Sequence, residues 1–211
     1  MITDSVFDTH AQEYDAWFER HQALYQSELL ALRELVPASG KGVEIGVGSG
    51  RFAEPLDITT GVEPSAAMAV LARLRGIQVT EAIAEALPFQ DQTFDYAVFV
   101  TTLCFVDSVS AALAEAYRII RPGGSIIIGL INKDSELGKQ YESKKQQSIY
   151  YRDAQFVEIE YVTAVLTDLG FVELIWRQTL FAGLAEDEIQ VSEPGYSSGG
   201  FVIVKAIRPA E

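Results

Sequence analysis

Three glycines at alternate positions end an apolar run at residues 43–50, VEIGVGSG. A strand that breaks into such a turn predicts a place where a phosphorylated or nucleoside-like ligand approaches bare backbone. In the dinucleotide fingerprint the third glycine falls three residues after the second, where a helix packs beside a pyrophosphate. Here Arg51 holds that position. The spacing is Gly46-x-Gly48-x-Gly50, with Glu44 inside the run and Glu63 ending the next β-rich run. A carboxylate at Glu63 can accept both hydroxyls of a ribose, which nicotinamide and adenosylmethionine cofactors share.

From Val43 onward, short β-rich runs alternate with helical patterns: VEIGV, DITTGVE, FDYAVFV and SIIIGLI, separated by AAMAVLARLR and SAALAEAYRII. This alternation predicts βαβ units and a mostly parallel sheet. Arg121-Pro122-Gly123-Gly124 reads as the turn into SIIIGLI. Residues from about Thr9 to Leu35 read as helix, with His10, Tyr14, Trp17, Phe18, His21, Leu24 and Tyr25 along one stripe. Near the C-terminus, EIEYVTAVLTDLGF predicts a helix closed by Gly170. VELIWRQTLF and GGFVIVKAI read as strands of an antiparallel hairpin, joined by an acidic loop of about 17 residues.

No repeat or linker divides the 211 residues, so one domain with one large core is expected. With 16 Lys+Arg against 30 Asp+Glu, the formal charge of -14 repels phosphate backbones and anionic lipid, so neither nucleic acid nor a membrane is expected as partner. The single cysteine, Cys104, excludes an intramolecular disulfide and a cysteine-cluster metal site, and reads as packed core. The start MITDSVFDTH lacks the basic and apolar parts of a signal peptide, and no apolar run is long enough to span a bilayer. A cytoplasmic protein is expected.

VEIGVGSGRF, GVEPSAAM, AEALPFQDQTFDYAVF and EAYRIIRPGG follow one another between Val43 and Asn132. In this order they resemble the class I S-adenosylmethionine-dependent methyltransferases, in particular the small-molecule branch similar to the enzymes of ubiquinone and menaquinone biosynthesis. With FDTHAQEYDAWF and YRDAQF included, the full chain is similar to a group of uncharacterised bacterial and archaeal methyltransferases. The resemblance implies an α/β fold with a seven-stranded sheet in the order 3-2-1-4-5-7-6, parallel except for the last strand. It also implies an N-terminal helical lid over residues 1–36, separable from a Rossmann-like core over residues 37–211.

The cofactor implied is S-adenosyl-L-methionine, held at Gly46, Gly48 and Gly50. Glu44 would orient its amine, Glu63 its ribose, and Pro64 and Met68 would flank the adenine. The family commonly has an aspartate where this chain has Ile83, so the Ala84 backbone and Glu85 are expected to serve the adenine amino group. Tyr14 would cover the cofactor, and Thr101 and Thr102 would lie beside its methionine part. The Asn/Asp-Pro-Pro-aromatic signature of amide and nucleobase nitrogen methylation is replaced by VTTLCFV. An oxygen, carbon or sulfur acceptor on a small molecule is therefore expected, or a nitrogen held by other groups.

No catalytic base is assignable outright. His10, Tyr14 and His21 are the candidates, because a base for an acidic hydroxyl or carbon is most naturally histidine, carboxylate or tyrosine. Phe18, Tyr25, Tyr150, Tyr151, Arg152 and Phe156 are candidates for the acceptor pocket, and no metal is expected. Two rival readings stand beside this one: a nicotinamide-dependent oxidoreductase, disfavoured by Arg51, and a non-catalytic protein that keeps the methyltransferase fold.

Overall fold

The computed structural model describes residues 5–183 and 187–210. The first four residues of the expected lid, residues 184–186 of the acidic loop and residue 211 lie outside them. The strands are β1 (Gly42–Ile45), β2 (Thr60–Val62), β3 (Gln78–Thr80), β4 (Phe94–Val100), β5 (Ile120–Ile131), β6 (Val172–Thr179), β7 (Glu193–Pro194) and β8 (Phe201–Ile207). They form one sheet in the order β3-β2-β1-β4-β5-β8-β6-β7. Strands β1 to β5 pair in parallel, and β8 runs antiparallel to both β5 and β6.

The expected α/β fold and strand order hold, with one addition at the edge. The short β7 lies inside the acidic loop and pairs with Arg177 and Gln178 of β6. Buried Gln178 organises that loop: its Nε2 donates to the Pro194 carbonyl, and its Oε1 accepts from the amides of Ser198 and Gly199. The Arg121–Gly124 turn is absorbed into β5 as a register shift opposite Phe94 and Tyr96.

Side-chain alternation along the central strands sends residues into two cores, as the two-residue period of a strand requires. Ala97 and Phe99 of β4, with Ile126 and Ile128 of β5, face α5 (Val109–Ile119) and α7 (Ile159–Asp168). Their neighbours Val98, Val100 and Ile127 face the other layer, where α3 (Gln22–Arg33) and α4 (Ala66–Leu74) contribute Leu29, Leu32 and Ala72. Each such buried Leu, Ile or Phe contributes roughly 1.5–3 kcal/mol. Among the described residues no helix is long and apolar enough to cross a membrane.

The N-terminal stripe departs from expectation. It forms three helices, α1 (Val6–Thr9), α2 (Ala11–Arg20) and α3, interrupted at His10 and His21. At His21 the backbone leaves the helical region (φ -123, ψ 48), its ring stacks on Trp17 with centroids 4.4 Å apart, and its Nδ1–H donates to the Trp17 carbonyl at 2.9 Å. The stripe therefore divides. Phe18 and Tyr25 are buried in the second core against Phe52, and the Tyr25 hydroxyl donates to the Arg51 carbonyl at 2.5 Å. Tyr25 is thus a core residue rather than a pocket residue.

Arg51, the residue that breaks the dinucleotide pattern, ties α2 to the glycine turn. Its Nε and Nη2 donate to the two Asp15 carboxylate oxygens at 2.9 and 2.8 Å, and Arg75 Nη2 donates to Asp15 Oδ2 at 2.9 Å. Burial acts to raise the Asp15 pKa, but the hydrogen bonds from Arg51, Ser49 and Arg75 outweigh it and hold the group down at about 2. Because the folded value lies below the ordinary 3.8, the stabilisation is present in full above that value and is lost as pH falls toward about 2. Asp15→Asn should lower stability near neutral pH by on the order of 2 kcal/mol. Urea midpoints of the two proteins should converge below pH 3.8, and a gap that persists at pH 2 would contradict the clamp.

Candidate functional site

The strand order reverses between β1 and β4, so the turns leaving their C-terminal ends diverge and open a crevice. A cavity of about 210 Å³ lies there, between the turn after β1, the end of β2, the loop at Ala82–Glu85 and the end of β4. The three glycines of the first turn serve different ends. A Cβ at Gly46 would meet Thr102 Cγ2 at 2.3 Å, and one at Gly50 would meet Ile77 Cδ1 at 2.5 Å, so both are needed for close packing. At Gly48, which also lines the cavity, a Cβ meets nothing within 4 Å. Gly46 and Gly48 both bring backbone to the cavity wall, with open space where a Gly48 Cβ would stand, whereas Gly50 does not reach it.

Glu63 lines the cavity and is only 6% exposed. Its Oε2 accepts from the Gly48 amide and its Oε1 from the Ser65 amide, both at 2.9 Å. Those bonds aim the carboxylate across the cleft and leave a lone pair on each oxygen for a diol. Burial raises its pKa, partly offset by the two amides. Glu44 lies in β1 and is 1% exposed, and its Oε2 has no hydrogen-bond partner among the described residues. Burial first and the Glu63 charge second push its pKa well up, with only the Ala53 amide pulling the other way.

Pro64, Met68 and Ala84 line the cleft. Glu85 lines it too, but its carboxylate is already engaged: Oε1 accepts from the Asp107 amide at 2.7 Å and the Ser108 amide at 3.1 Å, holding the start of α5. Asp107 stands at the same end of the cleft, where Ile83 is half exposed. Thr101 and Thr102, just past the end of β4, line the cleft too. Thr101 adopts φ 50, a costly conformation for a β-branched residue of the kind that gathers at functional sites. The Thr102 hydroxyl donates to the Val100 carbonyl at 3.1 Å.

Aromatic rings cover the cleft. Phe7 of α1 lies edge-on to Tyr14 and to Phe105, with centroids 5.4 and 5.2 Å apart. Asp8 pins α1 in place, its Oδ1 accepting from the Ser65 hydroxyl at 2.6 Å and the Ala67 amide at 3.3 Å, at the start of α4.

A second cavity of about 540 Å³ adjoins the first. Its walls come from Trp17 and Phe18 on α2, His21 at the break, Leu24 and Glu28 on α3, and Tyr141, Tyr150 and Tyr151 on and after α6 (Glu136–Lys144). Tyr14 and Thr101 line both cavities and so form the neck between them. Burial keeps the Tyr14 phenol protonated, a hydrogen-bond donor rather than a base. Burial likewise pushes the Cys104 thiol up to about 12, and its Sγ–H donates to the Thr101 carbonyl. His21 faces the larger cavity with Nδ1–H committed to Trp17, which leaves Nε2 as the acceptor.

Some expected site residues are not brought together. His10 sits 40% exposed beside Glu13 and lines neither cavity. Arg152 is exposed, and Phe156 packs behind Tyr141 and Tyr151 rather than on the cavity side. Phe7, Glu28, Phe105, Asp107 and Tyr141 line the cavities without having been singled out in the sequence. Among the described residues no group of three or more His, Cys, Asp or Glu side chains is placed to hold a metal ion.

The family model described as "Methyltransferase domain" matches residues 43–128. Over 203 residues the chain is 45% identical to an uncharacterized protein of Methanocaldococcus jannaschii, covering 96% of this chain and 98% of that one. A crystal structure from Thermotoga maritima superimposes with a TM-score of 0.91 at 45% identity, covering 96% of this chain and 98% of that one. That protein is described as a "SAM-dependent methyltransferase, possible histamine N-methyltransferase". The ubiquinone/menaquinone biosynthesis C-methyltransferase of Rickettsia bellii is 30% identical over 139 residues, 62% of this chain and 53% of its own length.

Proposed function

The chain belongs to the class I S-adenosylmethionine-dependent methyltransferases, and from that premise we propose that it methylates a small molecule held in the larger cavity, through the neck at Tyr14 and Thr101. The observation that carries this reading is the sharing of those two residues by two otherwise separate cavities. The acceptor presents an oxygen, carbon or sulfur, or a free amine, rather than an amide or nucleobase nitrogen.

The smaller cleft fits S-adenosylmethionine: Glu63 offers paired acceptors for a ribose and Gly46 and Gly48 offer bare backbone, while Glu44, buried in β1 with an unpartnered carboxyl oxygen, lines neither cavity and could act only through the turn. When bound, the cofactor supplies a methyl group on a cationic sulfur, open to displacement by a nucleophile. Tyr14 and Thr101 position the acceptor atom at the neck, and the aromatic cover of Phe7, Tyr14 and Phe105 excludes water. For an acceptor that must lose a proton, His21 Nε2 is the base on the cavity wall. A metabolite panel incubated with methyl-labelled cofactor tests the proposal. Label should pass to a small molecule and not to RNA or protein; label found only in macromolecules would refute it.

Gly48 gives a sharper check on the cofactor end. Gly48→Val should leave a folded protein, destabilised by roughly 1–2 kcal/mol for its left-handed backbone, with S-adenosylhomocysteine binding lost. Gly46→Ala should fail differently, by unfolding at lower urea, because its Cβ overlaps Thr102. Equal ligand affinity in Gly48→Val and the parent would place the ligand elsewhere.

A further inference from the structure

Glu28 is a carboxylate set into an aromatic wall. It lies on α3, partly buried, and lines the larger cavity beside Leu24 and Trp17 and across from Tyr141 and Tyr151. Among the described residues it has neither a hydrogen bond nor an ion pair, unlike Asp15 and Glu19 on α2 and Glu34 just past α3, each of which engages an arginine. The cavity's charged groups on α6, Glu136 and Lys144, are exposed, and Lys144 makes no ion pair with Glu28. An unpaired charge in such a place is costly, and burial alone pushes the group up to about 8.

We propose that Glu28 is the binding site for the basic nitrogen of an amine acceptor. An ammonium group supplies the counter-charge that the wall lacks, and the surrounding rings of Trp17, Tyr141 and Tyr151 offer π faces to the same cation. The cation draws Glu28 into its ionised form and pairs with it, whereas an uncharged acceptor meets only the protonated carboxyl that burial favours and an anionic one opposes its ionisation. The site thus selects amines over alcohols and acids of equal size. This rests on the reading of the larger cavity as the acceptor chamber, so the test must separate the two.

Phenethylamine and hexylamine, each against its matched alcohol, and phenylacetate are titrated into the wild-type protein saturated with S-adenosylhomocysteine, and into Glu28→Gln and Glu28→Asp. The amines should bind the wild type at least tenfold more tightly than the alcohols. Glu28→Gln should remove that preference, a loss on the order of tenfold to a hundredfold, while S-adenosylhomocysteine affinity stays unchanged, and Glu28→Asp should restore part of it. Amines that bind no better than alcohols, or equally well to Glu28→Gln, overturn the proposal. Failure of the wild type to bind S-adenosylhomocysteine would instead overturn the methyltransferase site itself.

Discussion

Replacing Glu63 by alanine should weaken S-adenosylhomocysteine binding by roughly 1.5–3 kcal/mol, about tenfold to 150-fold in Kd. Two losses combine. The variant gives up the paired acceptors for the ribose, and it frees the Gly48 and Ser65 amides that now hold the carboxylate at 2.9 Å each. The glycine turn therefore loses its anchor together with its ligand contact. Because the freed amides lie at the rim of the sheet rather than in either core, the ligand-free variant should melt somewhat below the parent but still cooperatively. Calorimetric titration checks the first effect and a melting curve the second. A folded Glu63→Ala protein that binds as tightly as the wild type would remove the ribose assignment.

Truncation of the N-terminus should have two outcomes that depend on where the cut falls. Removing residues 1–10 takes away Phe7 and the Asp8 latch on Ser65 and Ala67, and leaves both cores complete. That protein should fold, bind S-adenosylhomocysteine more weakly and lose methyl transfer. Removing residues 1–25 also takes away Phe18 and Tyr25 from the second core and Asp15 from Arg51 and Arg75. Two buried aromatics at about 3–5 kcal/mol each, with a broken ion cluster added, approach the whole stability of a domain this size. The longer truncation should therefore yield an unfolded chain by circular dichroism. Should it instead fold cooperatively, the packing of α3 against the sheet would not matter as the structure requires.

The division of the N-terminal segment shows where sequence reading stops. Apolar spacing located the stripe from His10 to Tyr25, but no spacing rule marks the break at His21, which depends on a ring stacked on Trp17 and a hydrogen bond back to its carbonyl. Once the helix breaks, residues that looked coplanar point to different places: Tyr14 to the neck, Tyr25 to the core. The cleft at the strand ends was more legible, because the glycine turn and Glu63 are local motifs whose positions follow from those ends. Even there one oxygen of Glu85, expected at the adenine, is taken by the Asp107 and Ser108 amides, although the residue lines the cleft. Only the fold brings those groups together.

Glu28 left a trace in the sequence. It continues the spacing of Trp17, His21 and Leu24 along the face that becomes the cavity wall, at a position where that stripe asks for an apolar side chain. An acid in that register is the signal that a reader looking only for aromatics passes over. The edge strand β7 left none, since its pairing depends on Gln178 reaching Pro194 across the loop.

The proposed seat of the adenosyl ligand is the cleft over the Gly48 backbone. Calorimetric titration of S-adenosylhomocysteine and of NAD into the wild type and Gly48→Val tests this most directly. The wild type should bind one S-adenosylhomocysteine per chain and no NAD, and Gly48→Val should bind neither. Binding of NAD in place of S-adenosylhomocysteine, or undiminished S-adenosylhomocysteine binding by the valine variant, would contradict it.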